Sequence, residues 1–142
     1  KYFSNAGITT DIIVGFPTET DEDFINTQKL IERVKFSDIH PFPFSPRSGT
    51  VAFKMQDLPP QIKKARLNKL LEIKANCKEN FAKSMVGKTL DFLFEEFKDG
   101  YFEGYSENYL RLYLPKYSGD GKIEKVTVIA PFKDGALAKI EE

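Results

Sequence analysis

The sequence has 142 residues, of which 41% are hydrophobic and 30% are charged, and this balance is typical of a globular protein with one core or two small ones. Basic and acidic residues number 21 each, so no net field selects nucleic acid, and no apolar run reaches the roughly 20 residues that span a membrane. The single cysteine, Cys77, excludes an internal disulfide and a multi-cysteine metal site built by this chain alone, and a cytoplasmic setting is the expectation.

The first predicted elements are a strand, a helix and a second strand. The segment 8–17 ends in a stretch, 12–16, that is apolar apart from Gly15, and this pattern is typical of a buried strand in a parallel sheet. Thr20 can cap a helix with an acidic first turn, and a second strand is predicted at about 38–44. The spacing predicts a βαβ unit with parallel strands. The predicted apolar stripe of the helix comprises Phe24, Thr27, Leu30, Ile31 and Val34.

The chain is expected to begin in the middle of a fold. The opening residues KYFSNAG resemble the end of a preceding helix that stops at Gly7. Two strands cannot form a parallel sheet that stands alone, because such sheets are covered on both faces. We therefore expect further strands to precede Lys1 in the complete fold.

A long helix is predicted from Pro60 to Val86, with Gly87 as its C-terminal cap. Residues 60–88 carry eight basic residues and two acidic ones, a net charge of +6, between two segments of net negative charge. This segment is either a flank for an RNA backbone or a solvated helix face, and the pattern alone favours the second. The predicted apolar stripe, in which Cys77 would be a buried structural thiol, comprises Leu67, Leu70, Leu71, Lys74 (by its stem), Cys77, Phe81 and Met85.

Alternating apolar and polar residues after Gly87 predict a small β-barrel of four or five strands. Turns are predicted at 98–100 and 133–135, and a break is predicted at 116–122. We place the domain boundary near residue 86. The predicted fold class is therefore an α/β domain over residues 1–85 followed by an all-β domain over residues 86–142.

The sequence contains no recognisable set of catalytic or metal-binding residues. His40, the only histidine, lies in the second predicted strand without charged neighbours in sequence, so a packing role is favoured over a catalytic one. No Ser/His/Asp arrangement, glycine-rich phosphate loop or metal-ligand spacing is present. We therefore assign no catalytic residue and no metal ligand to this chain.

The best candidate site is the edge at which the two predicted strands end, because ligands of parallel α/β folds bind there. Gly15 would let a flat ligand approach the backbone, and Arg47 offers a fork for a carboxylate or a phosphate. Glu19 could accept a hydrogen bond from an amine or a hydroxyl. The alternatives are that Glu19 only complements the helix start and that Arg47 forms a surface ion pair, and spacing alone leaves both open.

The predicted barrel combines aromatic residues with Lys98, Arg111 and Lys116. Aromatic platforms with scattered cations suit single-stranded RNA, where bases stack and phosphates pair. The alternative is that most of the rings form core or cross-strand pairs, and the net negative charge of this segment favours it.

Three stretches resemble the C-terminal part of radical S-adenosylmethionine (SAM) methylthiotransferases in order and spacing: DIIVGFPTET (11–20), HPFPFSPRSGT (40–50) and GYSENYLRLYLP (104–115). The resemblance implies a C-terminal fragment of a radical-SAM partial (β/α) barrel, with its long connecting helix, over 1–85. It also implies an OB-like TRAM domain, an RNA-binding β-barrel, over 86–142. The stretches are most similar to the branch that modifies threonylcarbamoyladenosine at tRNA position 37, although Phe44 and Ser106 stand where Tyr and Thr are usual.

The resemblance implies an enzyme that uses SAM and two 4Fe–4S clusters to add a methylthio group to carbon 2 of that adenosine. Both sets of cluster-binding cysteines are absent from this chain, so we expect an inactive fragment that depends on the missing N-terminal portion of the same enzyme. The implied partner is the tRNA anticodon arm, and no membrane is involved. The alternatives are a freestanding RNA-binding module, and a methylthiotransferase that acts on a ribosomal protein or on isopentenyladenosine at position 37.

The resemblance also implies two groups of site residues. The group that approaches SAM and the substrate at the strand ends comprises Gly15, Phe16, Pro17, Phe44, Ser45 and Arg47. The group that contacts tRNA comprises Tyr105, Asn108, Tyr109 and Arg111.

Overall fold

The computed structural model describes residues 5–117, 121 and 123–141. Within these ranges the chain contains two α-helices, a two-stranded sheet and a closed five-stranded barrel, so the predicted mixed α/β chain with a small β-barrel is confirmed. The predicted helix end in KYFSNAG and the predicted break at 116–122 lie largely outside the described residues. No helix in the described part of the chain has the length and apolar character needed to cross a membrane.

The chain divides into two compact units. The α/β unit is Ile8–Cys77, and the barrel unit is Lys78–Glu142 together with Lys1–Gly7. The long helix α2 (Pro60–Met85) contributes residues to both units, and its bounds match the prediction from Pro60 and Gly87.

The α/β unit contains the predicted parallel βαβ arrangement. Strand β1 (Thr9–Val14) pairs in parallel with β2 (Asp38–Pro43), and helix α1 (Asp21–Val34) connects them. Strand β1 lies within the predicted segment 8–17, but it ends before Gly15, so the predicted extension of the strand to residue 16 was wrong. At Gly15 the backbone turns into the left-handed region with a φ of 76°, which glycine adopts without steric cost.

Helix α1 begins at the predicted cap. The Thr20 hydroxyl accepts a hydrogen bond from the Asp23 N–H, and the Asp23 carboxylate accepts one from the Thr20 N–H at 2.9 Å, which completes a capping box. The hydrogen bond from the Thr20 N–H, and a second one that the Thr20 hydroxyl donates to the same carboxylate at 2.8 Å, lower the pKa of Asp23. The predicted apolar stripe was too wide, because Leu30 and Val34 are exposed and Ile31 is the fully buried side chain of the helix.

Helices α1 and α2 pack on one face of the two-stranded sheet. The buried cluster beneath them comprises Val14, Ile31, Ile39, Leu70 and Cys77. The predicted burial of Cys77 is confirmed, and desolvation raises the pKa of its thiol. Leu71, which was predicted to lie in this stripe, is exposed.

The opposite face of the sheet has no covering element among the described residues. Strand alternation directs Ile39 towards the helices, and therefore directs His40 and Phe42 to the other face. The expected packing role of His40 was thus wrong, because its side chain is exposed. Its register partner on β1 is Asp11, which is also exposed.

The barrel unit closes in the strand order β3-β4-β5-β7-β6, and all neighbouring pairs are antiparallel except β5 with β7. The strands are β3 (Thr89–Lys98), β4 (Tyr101–Ser106), β5 (Arg111–Leu114), β6 (Glu124–Phe132) and β7 (Gly135–Ile140). The predicted 98–100 turn is present, with Asp99 and Gly100 at positive φ. The fully buried side chains include Leu90, Phe92, Leu112, Leu114, Val126 and Val128.

Gly104 lets β3 and β4 approach closely at the β-bulge between Phe94 and Glu96. A Cβ atom at Gly104 would lie inside contact distance of the Leu93 carbonyl oxygen, and 2.8 Å from the Phe92 ring. Since the first of these neighbours is backbone in a paired strand, it cannot rotate away. This position of the barrel therefore requires glycine.

We expect Gly104→Ala to destabilise the barrel unit by about 1–3 kcal/mol, because the added methyl group forces strands apart in a closed sheet. Urea denaturation followed by the near-ultraviolet signal of the barrel tyrosines measures the change. The control is Lys98→Ala on the same strand pair, whose exposed side chain should matter by less than about 0.5 kcal/mol. Equal midpoints for the two variants would contradict the steric argument.

Candidate functional site

The structure brings the two predicted strand ends together. The Phe44 N–H donates a hydrogen bond to the Val14 carbonyl oxygen at 2.8 Å, which extends the β1–β2 pairing by one residue. The Phe16 and Phe44 rings meet edge to face, with centroids 5.2 Å apart. We call the residues from both strand ends, 15–19 and 44–47, the strand-end edge.

The backbone of Gly15 is covered by a side chain that sequence reasoning missed. The aliphatic stem of Lys63 from α2 lies where a Cβ atom of residue 15 would be. The Lys63 ammonium donates to the Asp57 carboxylate at 2.6 Å and to the Phe44 carbonyl oxygen at 3.4 Å. The close approach that Gly15 permits is therefore used by Lys63, and no local pattern in the sequence could have indicated this contact over 48 residues.

Glu19 is held by a buried guanidinium rather than left free for a ligand. The Glu19 carboxylate accepts hydrogen bonds from the Gly15 N–H at 3.1 Å and from Arg66, which is only 6% exposed. Arg66 also donates to the Asp21 carboxylate at 2.8 Å and lies over the Phe24 ring. Burial alone would lower the pKa of Arg66, but the two carboxylates outweigh it and raise the pKa.

Arg47 is the unpaired cation of the strand-end edge. Its guanidinium makes no ion pair or hydrogen bond with any described residue, so the predicted alternative of a surface ion pair has no support here. Only the Arg47 carbonyl oxygen is engaged, by Thr50. Ser45 and Arg47 are both exposed, which leaves this side of the edge accessible to an anionic group.

The basic segment 60–88 is largely neutralised. Of its eight cations, Lys64 is the one without an ion pair or hydrogen bond among the described residues. The ion pairs are Lys63–Asp57, Arg66–Glu19, Arg66–Asp21, Lys69–Glu72, Lys74–Asp38, Lys78–Asp134 and Lys83–Glu79, and Lys88 donates to Asn5. The net charge of the segment therefore gives little support to an RNA flank.

In the barrel unit, the turn between β4 and β5 projects Tyr109 into solvent. The Ser106 hydroxyl accepts a hydrogen bond from the Leu110 N–H at 3.0 Å, and the Tyr109 N–H donates to the Ser106 carbonyl oxygen at 2.9 Å. Tyr109 has a φ of 62°, which is uncommon for a residue other than glycine, and its side chain is 86% exposed. The ring packs against no other ring or cation in the described part of the chain.

Asn108 supports this turn from the inside. Its side chain is buried, and its amide donates to the Asn5 carbonyl oxygen at 2.7 Å. Its Oδ1 accepts a hydrogen bond from the Ser106 hydroxyl at 2.6 Å. The polar groups of Asn108 are thus used within the barrel unit, where they hold the backbone that carries Tyr109.

Arg111 is engaged by carboxylates on the outer surface of the barrel. It is the register partner of the half-buried Tyr105, and it donates to the buried Glu103 while lying 3.8 Å from Glu96 and from Asp134. The hydrogen bond to Glu103 is the main reason that the pKa of Arg111 is raised. Arg111 is therefore less free to meet a phosphate than Arg47 is.

The other rings of this surface mostly contact one another, as the alternative interpretation held. Tyr101, Tyr113 and Phe132 surround the Lys133 ammonium, at 5.2, 4.9 and 5.6 Å from their centroids. The Tyr113 hydroxyl donates to Asp134. Burial alone would raise the pKa of Asp134, but the hydrogen bond from Tyr113 and the nearby cations keep it below its usual value.

The chain does not supply the ligands of an iron–sulfur cluster. Cys77 is its one cysteine, and it is buried in the α/β unit. Among residues 5–117, 121 and 123–141, no three His, Cys, Asp or Glu side chains are close enough together to hold a metal ion. A cluster in a larger protein would have to be bound by residues outside this sequence.

No protein-family model matches the chain, but comparison with curated proteins finds several tRNA-modifying enzymes. The tRNA-2-methylthio-N(6)-dimethylallyladenosine synthase of Aquifex aeolicus (strain VF5) is 37% identical over 141 residues, which cover 94% of this chain and 31% of the relative. The enzyme of the same name from Ehrlichia ruminantium (strain Gardel) is 45% identical over 104 residues, or 72% of this chain and 23% of the relative.

A third relative carries a different name. The threonylcarbamoyladenosine tRNA methylthiotransferase MtaB of Bacillus subtilis (strain 168) is 33% identical over 152 residues, which cover 100% of this chain and 34% of the relative. The chain thus spans about a third or less of the length of the relatives it matches. The matched part is the C-terminal part of these proteins.

We expect Arg66→Ala to destabilise the α/β unit by about 2–4 kcal/mol, because the variant leaves the Glu19 carboxylate buried without its cation. Lys69→Ala is the matched control on the same helix, since its ion pair with Glu72 is exposed and should contribute less than about 0.5 kcal/mol. Urea denaturation followed by far-ultraviolet circular dichroism compares the two. Similar losses in both variants would show that Arg66 is not the specific anchor of the strand-end edge.

Proposed function

The chain is homologous to the C-terminal part of tRNA methylthiotransferases, and we propose that it works as that part of an enzyme which adds a methylthio group to an adenosine of tRNA. In such an enzyme the α/β unit would form the end of a radical-SAM partial barrel, and the barrel unit would be a TRAM domain. The N-terminal portion of the same enzyme would supply the remaining strands and the cysteines. The cytoplasm, where tRNA is modified, would be its setting.

In this proposal the strand-end edge lines the cavity for SAM and the substrate nucleoside. SAM, cleaved at an iron–sulfur cluster, would supply the radical chemistry of the full enzyme. The residues of this chain would bind and orient: Phe16 and Phe44 offer aromatic faces, and Arg47 offers a cation for a carboxylate or a phosphate. Contact with the Gly15 backbone would require the Lys63 stem to move, so the two rings and Arg47 are the accessible groups.

In this proposal the barrel unit binds the anticodon arm. The main observation in support of this is the exposure of Tyr109. An 86% exposed ring on a turn held by buried hydrogen bonds is a preorganised platform for an unstacked base. Tyr105 lies on β4, the strand that precedes the turn, as a second, half-buried ring. Asn108 would act by positioning Tyr109. Arg111, which is paired with Glu103, would form part of the RNA-facing surface.

Two nucleosides are candidates for the substrate. The stretches HPFPFSPRSGT and GYSENY favour threonylcarbamoyladenosine at position 37, and a relative with that name aligns over 100% of the chain. The second candidate is dimethylallyladenosine, which is favoured by the higher identity, 45%, to a relative with that substrate in its name. A threonyl carboxylate would have a partner in Arg47, whereas an apolar dimethylallyl group would not, and we therefore place the first candidate ahead.

We expect Tyr109→Ala to weaken binding of a fluorescent anticodon stem-loop RNA by about 5- to 150-fold, because one stacked base is worth roughly 1–3 kcal/mol. Fluorescence anisotropy at two salt concentrations measures the affinity and its salt dependence. Tyr109→Phe is the matched variant and should retain most of the affinity, since the stacking ring remains.

The control for this experiment is Ile129→Ala, another exposed apolar side chain of the barrel unit, which should leave the affinity unchanged. If the unaltered chain shows no salt-dependent RNA binding, the RNA-binding part of the proposal is wrong. If it binds and Tyr109→Ala binds equally well, the platform is placed wrongly.

We also expect tRNA from a strain that lacks the gene for this chain to lose its methylthio-threonylcarbamoyladenosine. Mass spectrometry of digested bulk tRNA measures this nucleoside, and the unmethylthiolated precursor should accumulate in its place. Loss of the methylthio derivative of dimethylallyladenosine (also called isopentenyladenosine) instead would establish the second candidate. An unchanged nucleoside profile would exclude both candidate nucleosides. It would point instead to a ribosomal-protein substrate or to a freestanding RNA-binding module.

A further inference from the structure

A loop at the end of β2 exposes apolar side chains that a globular unit normally buries. Residues 47–55, which we call the Arg47 loop, include a short 3₁₀ helix (Val51–Lys54). Val51 is 79% exposed and Phe53 is 52% exposed, and Met55 is exposed as well. In the described part of the chain, the Phe53 ring has no aromatic or cationic partner. Contiguous exposure of this kind marks an interaction surface.

The Arg47 loop is held in one conformation by two consecutive turns that share Thr50. The Thr50 hydroxyl donates to the Arg47 carbonyl oxygen at 2.8 Å, and the Phe53 N–H donates to that same hydroxyl at 3.2 Å. The Met55 N–H continues the pattern by donating to the Ala52 carbonyl oxygen at 3.2 Å. Because the loop is already ordered, a partner would bind it without a large entropic cost.

The free charges of the Arg47 loop are positive. Neither Arg47 nor Lys54 has an ion pair among the described residues. The nearest acidic residue along the chain, Asp57, is taken by Lys63 at 2.6 Å. An exposed ring on a loop that also carries two unpaired cations is complementary to single-stranded nucleic acid, in which bases stack and phosphates pair. An apolar protein partner would instead have to desolvate both cations without compensation.

We propose that the Arg47 loop is a second RNA contact, in which a base stacks on Phe53 and a flanking phosphate meets Lys54, while Arg47 stays with the substrate nucleoside. This inference rests on the proposed function, because it assumes that the chain binds RNA. It adds a contact in the α/β unit that is independent of the Tyr109 platform in the barrel unit. The partner is therefore an RNA segment beyond the nucleotide that Tyr109 stacks on.

The test measures binding of the fluorescent anticodon stem-loop RNA to the full chain and to three variants. Phe53→Ala should weaken binding by about 5- to 150-fold, and Phe53→Tyr should bind within about 2-fold of the unaltered chain, because a stacking ring remains. Lys54→Gln should lower the slope of log affinity against log salt by about one, because one phosphate contact is lost. Ile25→Ala, an exposed apolar side chain on α1, is the matched control and should change nothing.

A second measurement locates the contact directly. RNA that carries 4-thiouridine should cross-link on irradiation to a peptide containing Phe53, and the yield should fall in Phe53→Ala. If Tyr109→Ala weakens binding while the Phe53 and Lys54 variants do not, and no cross-link forms there, the inference is overturned and the proposed function stands. The loop would then be a protein contact. If the unaltered chain shows no salt-dependent binding, both the RNA-binding part of the proposed function and this inference are wrong.

Discussion

The α/β unit depends on one buried cation, Arg66. Its guanidinium joins α2 to the segment after β1 through Glu19 and Asp21, and Glu19 in turn accepts the Gly15 N–H. The turn that ends β1 and the start of α1 are therefore fixed by the same ion pair. Removal of one partner from a buried pair leaves an uncompensated charge, so loss of either side chain alone should destabilise the α/β unit. The geometry of the strand-end edge follows from it, because Phe16 lies on that turn.

The same pairing separates structural cations from those that are free to bind a ligand. Arg66, Lys63 and Lys74 lie in the basic helix segment, and each is engaged by a carboxylate of the α/β unit. Arg47 and Lys54 lie outside that segment and have no such partner in the described part of the chain. The charge count of the sequence therefore points to α2, but Lys64 is the one cation of that segment left unpaired in the described part of the chain, whereas both cations of the loop after β2 are unpaired. Only the folded pairing reveals this reversal.

The features that the sequence predicts correctly are local. The Thr20 cap, the helix from Pro60 to its end before Gly87 and the tight turn at 98–100 each depend on residues within a few positions of one another. The features it misses are contacts over long separations. The Lys63 stem on Gly15 and the Arg66 pair with Glu19 join residues 47 or more positions apart, and their residue types alone predict exposed side chains. The exposure of His40 was missed because the helices decide which face of β2 is buried, and the local sequence does not show which face they cover.

The turn that carries Tyr109 gains no ring or cation contact from that side chain in the described part of the chain. Its backbone adopts a left-handed conformation that costs a residue with a side chain about 1 kcal/mol, and the ring buries almost none of its surface. Ser106 and Asn108 direct buried polar groups to hold this conformation, although a glycine at position 109 would satisfy it without strain. The base-stacking role proposed for Tyr109 would account for a tyrosine at such a position. The backbone strain and the exposure point to the same conclusion, because neither stabilises the barrel unit by itself.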